Sequence, residues 1–365
     1  MRQRLALFLL IFLAACSSVP VASPVSTLSV VIVPDTPTPS VTPSPTSTRT
    51  PEQALYPYTI EGLRKHKFQS GKITIRETLL ESDYFTRYLI EYPSDGLTIT
   101  GILQVPMVGE PPYPVIVMNH GFFSRTIYAS GDGTDRAAEF LNRRGYLTVS
   151  SDYRSWGEAE TGESLFYSGL AIDIINLMNA LESFPEADVE RIGMWGHSMG
   201  GGATLKVLTI DSRIKAAVLY SSVSADFADI IERWGPGCLG DVLEGELAYG
   251  CNSSDILPLT LPDDLVTAYF DASADPIALK KFSPLYYFNF VTAPVQIVYG
   301  TEDGKTSAGT PPEWSKKMYE GFVKAGVDAQ LFAHTGEEHS FRDDEWFAFM
   351  ERTSHFFDRY VKPQK

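Results

Sequence analysis

The sequence is short of cysteine, of positive charge and of long apolar runs. Lysine and arginine total 30 against 45 aspartates and glutamates, a formal net charge of −15. The clustered cations that nucleic-acid binding requires are therefore missing, and no nucleic-acid partner is expected. The apolar run at residues 5–15 is too short to span a bilayer comfortably, and no internal repeat is present. What the chain does have is 44% hydrophobic and 12% aromatic residues in 365, enough to bury a large core.

The first residues have the pattern of an export signal. Arg2 and Arg4 precede the apolar run, as in a signal peptide. The run ends in small residues directly before Cys16, which resembles the lipobox of bacterial lipoproteins, where the cysteine is acylated and becomes the new N-terminus. An ordinary signal peptide with a chance cysteine is the alternative. We predict a lipoprotein signal at residues 1–16 and an exported protein, anchored by lipid to the periplasmic or cell-surface side of the envelope.

The remaining cysteines and the segment after Cys16 fit this prediction. With Cys16 acylated, Cys238 and Cys251 are free to pair if export places them in an oxidising compartment, and two buried thiols are the alternative. Residues 17–51 are rich in Ser, Thr and Pro with little to bury, so they predict a disordered tether. The folded domain is then residues 52–365.

The folded part opens with an antiparallel pattern and continues with a parallel one. A short helix is predicted at 58–68, and a tight hairpin turn at Asp95 and Gly96. Alternating residues predict strands at 72–77, 84–92 and 97–105. From Pro114 onward, short apolar runs alternate with helical segments. The predicted strands are 115–118, 146–150, 192–195, 216–220, 295–299 and 329–333, and the predicted helices are 134–144, 169–184, 199–209, 312–325 and 344–360.

This order predicts an α/β protein with a mostly parallel central sheet and helices on both faces. Residues 223–291 are too long for an ordinary connection and predict a cap insertion, which contains Cys238 and Cys251. Its aromatic residues either line the mouth of a pocket or fill the core of the insertion itself. They are Trp234, Tyr249, Tyr269 and Phe270.

A candidate nucleophile lies between a predicted strand and a predicted helix. Ser198 is the centre of a Gly-x-Ser-x-Gly sequence that follows strand 192–195 and opens helix 199–209. A sharp turn of this kind strains the serine backbone and leaves no room for side chains at the flanking glycines. The hydroxyl is thereby exposed over a helix N-terminus, which suits a developing oxyanion.

The base and the acid should follow in the order Ser, acid, His. Of the six histidines, His339 is the one in a loop after the last predicted strand, so it is the predicted base. Asp303, which follows strand 295–299, is the predicted acid. Glu302 is the first alternative. Glu337 and Glu338, close to the histidine in sequence, are weaker ones.

Two backbone N–H groups are predicted to hold the oxyanion. One belongs to Met199, directly after the nucleophile, and the other to Phe122, in the loop after an early strand. Gly121 lets that loop approach closely, and His120 is expected to be structural. A simple strand-ending turn is the alternative for this loop. The predicted chemistry needs neither a metal nor an organic cofactor.

Together these motifs resemble the catalytic domain of the prolyl oligopeptidase family of serine peptidases from Tyr84 to the C-terminus. The resemblance implies an α/β-hydrolase fold and a Ser-Asp-His triad at Ser198, Asp303 and His339. Family peptidases usually carry an N-terminal β-propeller, for which this chain has no room, and residues 304–307 lack the apolar residue and proline usual there. The segments that carry the resemblance are 93–106, 119–121, 152–157, 190–201, 282–284, 300–303 and 339–341.

The sequence therefore predicts a serine hydrolase that forms an acyl-enzyme on a peptide or ester substrate. A peptidase is expected first, because of the family resemblance, and a carboxylesterase is the alternative. A non-catalytic surface-binding module is a third reading, which the presence of all triad positions disfavours. Glu158 or Glu160 is a further candidate, as the group that holds a substrate amino group.

Overall fold

The computed structural model describes residues 49–240 and 251–362. The chain divides into two units, residues 1–47 and 48–365, and the described residues belong to the second. The predicted signal peptide, Cys16 and almost all of the predicted tether lie outside the described residues, as does Tyr249 of the insertion. None of the helices among the described residues is long and apolar enough to cross a membrane.

A nine-stranded sheet forms the centre of the described part of the chain. Its strands are β1 (Thr74–Glu81), β2 (Phe85–Ser94), β3 (Leu97–Pro106), β4 (Tyr113–Asn119), β5 (Leu147–Ser151), β6 (Ala187–His197), β7 (Ile214–Tyr220), β10 (Val295–Gly300) and β11 (Ala329–His334). Their order across the sheet is β1-β2-β3-β5-β4-β6-β7-β10-β11, and neighbours pair antiparallel from β1 to β5 and parallel from there to β11.

Helices cover both faces of this sheet. The helices are α1 (Pro51–Leu55), α2 (Ile60–Arg64), α3 (Asp135–Asn142), α4 (Ser168–Ala180), α5 (Met199–Ile210), α6 (Phe227–Trp234), α7 (Asp263–Ser273), α8 (Pro276–Leu279), α9 (Pro312–Lys324) and α10 (Asp343–Tyr360). Two separate apolar clusters lie on the two sides of the sheet, one built on α4, α5 and α9 and the other on α3 and α10. The predicted fold class is confirmed.

The predicted hairpin is confirmed, and the first predicted helix is shorter than expected. Ser94 pairs with Leu97 across a two-residue turn in which Asp95 and Gly96 have φ of 49° and 86°, as a type I′ turn requires. Helix α2 ends at Arg64, well before residue 68. The chain leaves the helix here and places the His66 imidazole 2.7 Å from the Asp95 carboxylate.

The insertion between β7 and β10 is a small structure of its own. It contains α6, α7, α8 and a two-stranded sheet of β8 (Gly237–Leu239) and β9 (Asn252–Leu257). A disulfide joins Cys238 and Cys251, whose Cα atoms are 5.1 Å apart. Tyr269 is completely buried and packs on Phe166, so it belongs to the core of the fold and not to a pocket mouth.

Candidate active site

Ser198 occupies a strained turn between β6 and α5. Its backbone has φ 55° and ψ −121°, a conformation that residues other than glycine rarely adopt. A Cβ on Gly200 would lie 2.1 Å from the Asn119 carbonyl oxygen, and one on Gly196 would lie 2.4 Å from the Gly200 carbonyl oxygen. The two glycines of the motif are therefore sterically required.

The surroundings leave the Ser198 hydroxyl available. The side chain is half-buried, and its oxygen makes no hydrogen bond within residues 49–240 and 251–362. The Ser198 N–H donates to the Tyr220 carbonyl at 3.0 Å, which fixes the turn against β7. Gly121 approaches so closely that a Cβ there would lie 3.2 Å from the Ser198 Cβ.

His339 and Asp303 meet beside this turn. His339 Nδ1 lies 3.1 and 3.0 Å from the two carboxylate oxygens of Asp303. Asp303 follows β10, and His339 lies in the loop after β11. A Cβ on Gly300 would lie 2.2 Å from the Glu337 carbonyl oxygen, which shows that these two loops pack tightly. Parallel neighbouring strands thus bring the two residues to the same edge of the sheet.

His339 is also close to the serine turn. The His339 and His197 rings are 4.8 Å apart, and His197 directly precedes Ser198. No hydrogen bond joins Ser198 and His339 in the part of the chain that the structure describes. Such bonds are often long without substrate and shorten when it binds.

Asp303 is held in its charged form. Burial alone would raise the pKa of this carboxyl, but hydrogen bonds from His339 and Thr310 hold the pKa below its ordinary value. The Thr310 hydroxyl donates to Asp303 at 2.7 Å and the Thr310 N–H donates at 2.8 Å. Thr310 was not predicted from the sequence, because no motif marks it.

The alternative acids have other partners. Glu302 forms an ion pair with Lys305. Glu337 accepts a hydrogen bond from the Arg342 N–H at 3.1 Å, and Glu338 lies 3.9 Å from the Arg342 guanidinium. Among the described contacts, the carboxylate on His339 is that of Asp303.

His197 is a second residue that the sequence analysis missed. Its Nε2–H donates to the His339 carbonyl at 3.1 Å, and its ring stacks on Tyr220 at 4.6 Å. Burial, reinforced by the neighbouring His339, lowers the pKa of His197 to about 3, so the ring is neutral at neutral pH. Tyr220 in turn accepts a hydrogen bond from the N–H of Phe341. The nucleophile strand and β7 therefore both hold the His339 loop.

The predicted oxyanion donors also lie at this edge. Met199 is the first residue of α5, and Phe122 follows Gly121 in the loop after β4. Neither N–H has a hydrogen-bond partner within the described ranges. Both are thus available to a ligand at Ser198.

His120 fixes the loop that carries Phe122. The ring is completely buried and stacks between Tyr128 and Tyr153 at 4.6 and 4.3 Å. Its Nδ1 lies 2.7 Å from the Gly121 carbonyl oxygen and its Nε2 lies 3.2 Å from that of Asp152. Burial lowers the pKa of His120 to about 4. His120 is therefore a neutral structural residue, as expected.

Glu158 and Glu160 are occupied elsewhere. Glu158 forms an ion pair with Arg76 at 2.8 Å, and the Glu160 carboxylate accepts the Thr98 N–H at 2.5 Å. Both therefore hold the β1 to β3 end of the sheet. The interpretation of either as a substrate-binding residue gains no support.

A cavity of about 290 Å³ opens beside Asp303 and His339 between their two loops, and Ser198 is not among its lining residues. Another, of about 340 Å³, lies between α1 and helices α7 and α8 and contains none of the candidate site residues. In residues 49–240 and 251–362, no group of three or more His, Cys, Asp or Glu is arranged to hold a metal ion.

Known proteins resemble this chain in sequence over part of its length. Residues 60–233 match the family model described as acetyl xylan esterase (AXE1). That range contains Ser198 and His120 but neither Asp303 nor His339. An uncharacterized 31.7 kDa protein of Escherichia coli is 31% identical over 127 residues, which are 34% of this chain and 42% of that protein. The chain therefore spans less than half the length of this relative.

Solved structures resemble it over most of the described fold. An acetyl xylan esterase from Paenibacillus sp. R4 is 16% identical, with a TM-score of 0.58 over 85% of this chain and 95% of that one. The acylaminoacyl peptidase of Pyrococcus horikoshii is 20% identical, with a TM-score of 0.53 over 77% of this chain and 43% of that one. At these identities the likeness shows a common fold.

The chain has the α/β-hydrolase fold. The Ser198 turn and the Asp303–His339 pair lie at the carboxyl edge of the sheet of that fold, and residues 60–233 match an esterase family model. The similar solved structures include both peptidases and acetyl xylan esterases.

We predict that His120 makes the protein less stable as the pH falls. Its pKa rises from about 4 in the folded protein to ~6.5 when unfolded. Between these values the unfolded chain binds the additional proton. The free energy of unfolding should fall by up to about 1.4 kcal/mol per pH unit on this account, and the contribution is complete above ~6.5. Urea unfolding of wild type and His120→Gln at several pH values measures the difference.

His355, an exposed histidine of α10, provides the control. His355→Gln should keep the wild-type pH dependence, whereas His120→Gln should lose part of it. Identical pH dependence in all three proteins would contradict a buried, neutral His120.

Proposed function

We propose that the protein hydrolyses carboxylic esters with Ser198 as nucleophile, His339 as general base and Asp303 as the orienting acid. One observation carries this proposal: His339 Nδ1 contacts both oxygens of Asp303, at 3.1 and 3.0 Å, beside the strained Ser198 turn. An ionised carboxylate only accepts hydrogen bonds, so Nδ1 carries the proton and Nε2 is left with a lone pair for the serine.

The first half of the reaction forms the acyl-enzyme. Ser198 Oγ attacks the ester carbonyl while His339 Nε2 takes its proton. The carbonyl oxygen becomes an oxyanion, which the N–H groups of Met199 and Phe122 stabilise. His339 then gives the proton to the departing alcohol, and Asp303 stabilises the imidazolium in between. In the second half, water repeats these steps and releases the acid.

The preference for an ester rests on the comparisons. The family model that matches residues 60–233 is that of an esterase family. The esterase structure corresponds to this chain over 95% of its own length, and the peptidase structure over 43% of its length. Peptide hydrolysis by the same triad is the second candidate, favoured by the likeness to acylaminoacyl peptidase. The substrate in either case is a small molecule or a chain end whose carbonyl reaches Ser198.

We also propose that the protein is exported and lipid-anchored at Cys16. The motif before Cys16 supports this, and the Cys238–Cys251 disulfide fits an oxidising compartment outside the cytoplasm.

The substrate class can be measured on matched compounds. We expect the domain from residue 52 to turn over p-nitrophenyl acetate with a far higher kcat/KM than the corresponding p-nitroanilide. Ser198→Ala should lower kcat for the ester on the order of a million-fold. Efficient cleavage of the anilide, or of members of a diverse peptide library, would contradict the esterase proposal and favour a peptidase. Undiminished turnover by Ser198→Ala would refute both.

Asp303→Asn tests the acid and Glu302→Gln is its matched control. The asparagine amide cannot hold the imidazole in the required tautomer, so kcat should fall on the order of ten-thousand-fold. Glu302 pairs with Lys305 and not with His339, so its amide variant should keep wild-type kcat. Steady-state kinetics of the two variants decide between the carboxylates, and the opposite ranking would make Glu302 the acid.

Lipidation can be followed in a bacterial host that expresses the full chain. A clickable palmitate analogue should label the wild type and should not label Cys16→Ala, because the acylated thiol is gone. Cys238→Ala, with a cysteine removed elsewhere, should be labelled like the wild type. An unlabelled wild-type protein would contradict lipidation and favour an ordinary signal peptide.

A further inference from the structure

The loop that carries Phe122 is fastened to a second turn of the fold, residues 152–157. The Gly121 carbonyl and the Phe122 N–H belong to one planar peptide group and point in opposite directions. The contact of 2.7 Å between His120 Nδ1 and the Gly121 oxygen therefore sets the direction of the Phe122 N–H. This fixes one side of the donor.

Trp156 fixes the other side. Its side chain is completely buried, and its indole Nε1–H donates to the Phe123 carbonyl at 2.9 Å. The Phe122 ring meets the indole edge-on, with the ring centres 6.3 Å apart. The residues on either side of Phe122 are thus both held by hydrogen bonds, Gly121 by His120 and Phe123 by Trp156.

The turn that carries Trp156, residues 152–157, is rigid. Tyr153, Ser155 and Gly157 have φ of 61°, 72° and 58°, which fold the chain into a tight turn. At its start the buried Asp152 carboxylate accepts hydroxyl hydrogen bonds at 2.5 to 2.9 Å from three side chains, Thr100, Ser130 and Tyr128.

A buried ion pair also holds this turn in place. The Arg154 guanidinium donates to both oxygens of Asp173 on α4, at 3.0 and 2.8 Å. The Arg154 N–H donates to the same carboxylate at 2.8 Å. A bidentate pair of this kind fixes orientation as well as distance, so the turn cannot rotate without breaking it.

One face of the indole is covered by Arg125, which belongs to the same loop as Phe122. The Arg125 guanidinium carbon lies 3.9 Å from the centre of the Trp156 ring, and Nη2 donates to the Ser253 carbonyl in β9 at 2.8 Å. Trp156 is thereby covered by the loop that it holds, and Arg125 ties that loop to the insertion.

We propose that Trp156 is a positioning residue that aims the Phe122 N–H at the oxyanion formed on Ser198, an inference that rests on the proposed function. Trp156 touches neither the substrate nor the reacting atoms in this role. It acts through the Phe123 carbonyl, and its loss lets the Phe122 peptide turn away from the oxyanion. Such a change weakens the binding of the transition state more than the binding of the ester, because the charge on the oxygen appears only during reaction.

Trp156→Phe keeps an aromatic ring and removes the N–H. We expect kcat for p-nitrophenyl acetate to fall by about 10- to 100-fold with KM little changed, less than the roughly 100- to 1000-fold caused by deleting a donor outright. Affinity for a trifluoromethyl ketone, which forms an oxyanion on the serine, should fall by the same factor as kcat/KM.

Trp346→Phe is the matched control. Trp346 is buried in α10 beneath the Arg136 guanidinium at 3.7 Å, an arrangement like that of Trp156 under Arg125 but within the α3 and α10 cluster on the other side of the sheet. We expect wild-type kcat and inhibitor affinity from this variant. Thermal unfolding of both variants shows whether either change acts through stability.

The outcomes separate this inference from the proposed function. A wild type without Ser198-dependent hydrolysis would remove the proposed function and the inference with it. A wild type with that activity and a folded Trp156→Phe of unchanged kcat and inhibitor affinity would overturn the inference alone. A rise in KM with unchanged kcat, or a loss of kcat without loss of inhibitor affinity, would also overturn it.

Discussion

The steric constraint at Ser198 governs the geometry of the whole site. A serine at φ 55° is held there because β6 is paired on both sides and α5 begins at the next residue. The strain is tolerable only where the surrounding structure fixes the backbone, and here Gly196 and Gly200 allow β4 and α5 to approach within contact. The turn therefore depends on the completed sheet.

The candidate acid and base depend on the same sheet through its next strands. Asp303 and the His339 loop lie at the carboxyl ends of β10 and β11, which pair in parallel. Thr310 holds the Asp303 carboxylate, and His197 holds the His339 backbone from the nucleophile strand. Three strand ends thus share one hydrogen-bonded edge, so a displacement of any one of them alters the others.

The insertion supports this edge from two sides. Arg233 donates to the carbonyls of Gly304 and Thr306 at 3.1 and 2.7 Å, directly after the candidate acid. Ser253 accepts from Arg125 in the Phe122 loop. A third link is buried: Lys206 of the nucleophile helix donates to the Phe166 carbonyl, and Asp255 of β9 accepts the next N–H, that of Tyr167, at 3.2 Å. The insertion is therefore part of the site's framework.

The sequence by itself determined the strand and helix order, the hairpin at Asp95 and the positions of Ser198, Asp303 and His339, because these depend on local periodicity and short motifs. It favoured Asp303 over Glu302, but chain order, which both residues satisfy, could not decide between them. Only the tertiary structure decided that the carboxylate on His339 is that of Asp303. Thr310, His197 and Trp156 could not be found in advance, because each acts through a contact made by residues distant in the chain, and such contacts exist only once the sheet and its loops have packed.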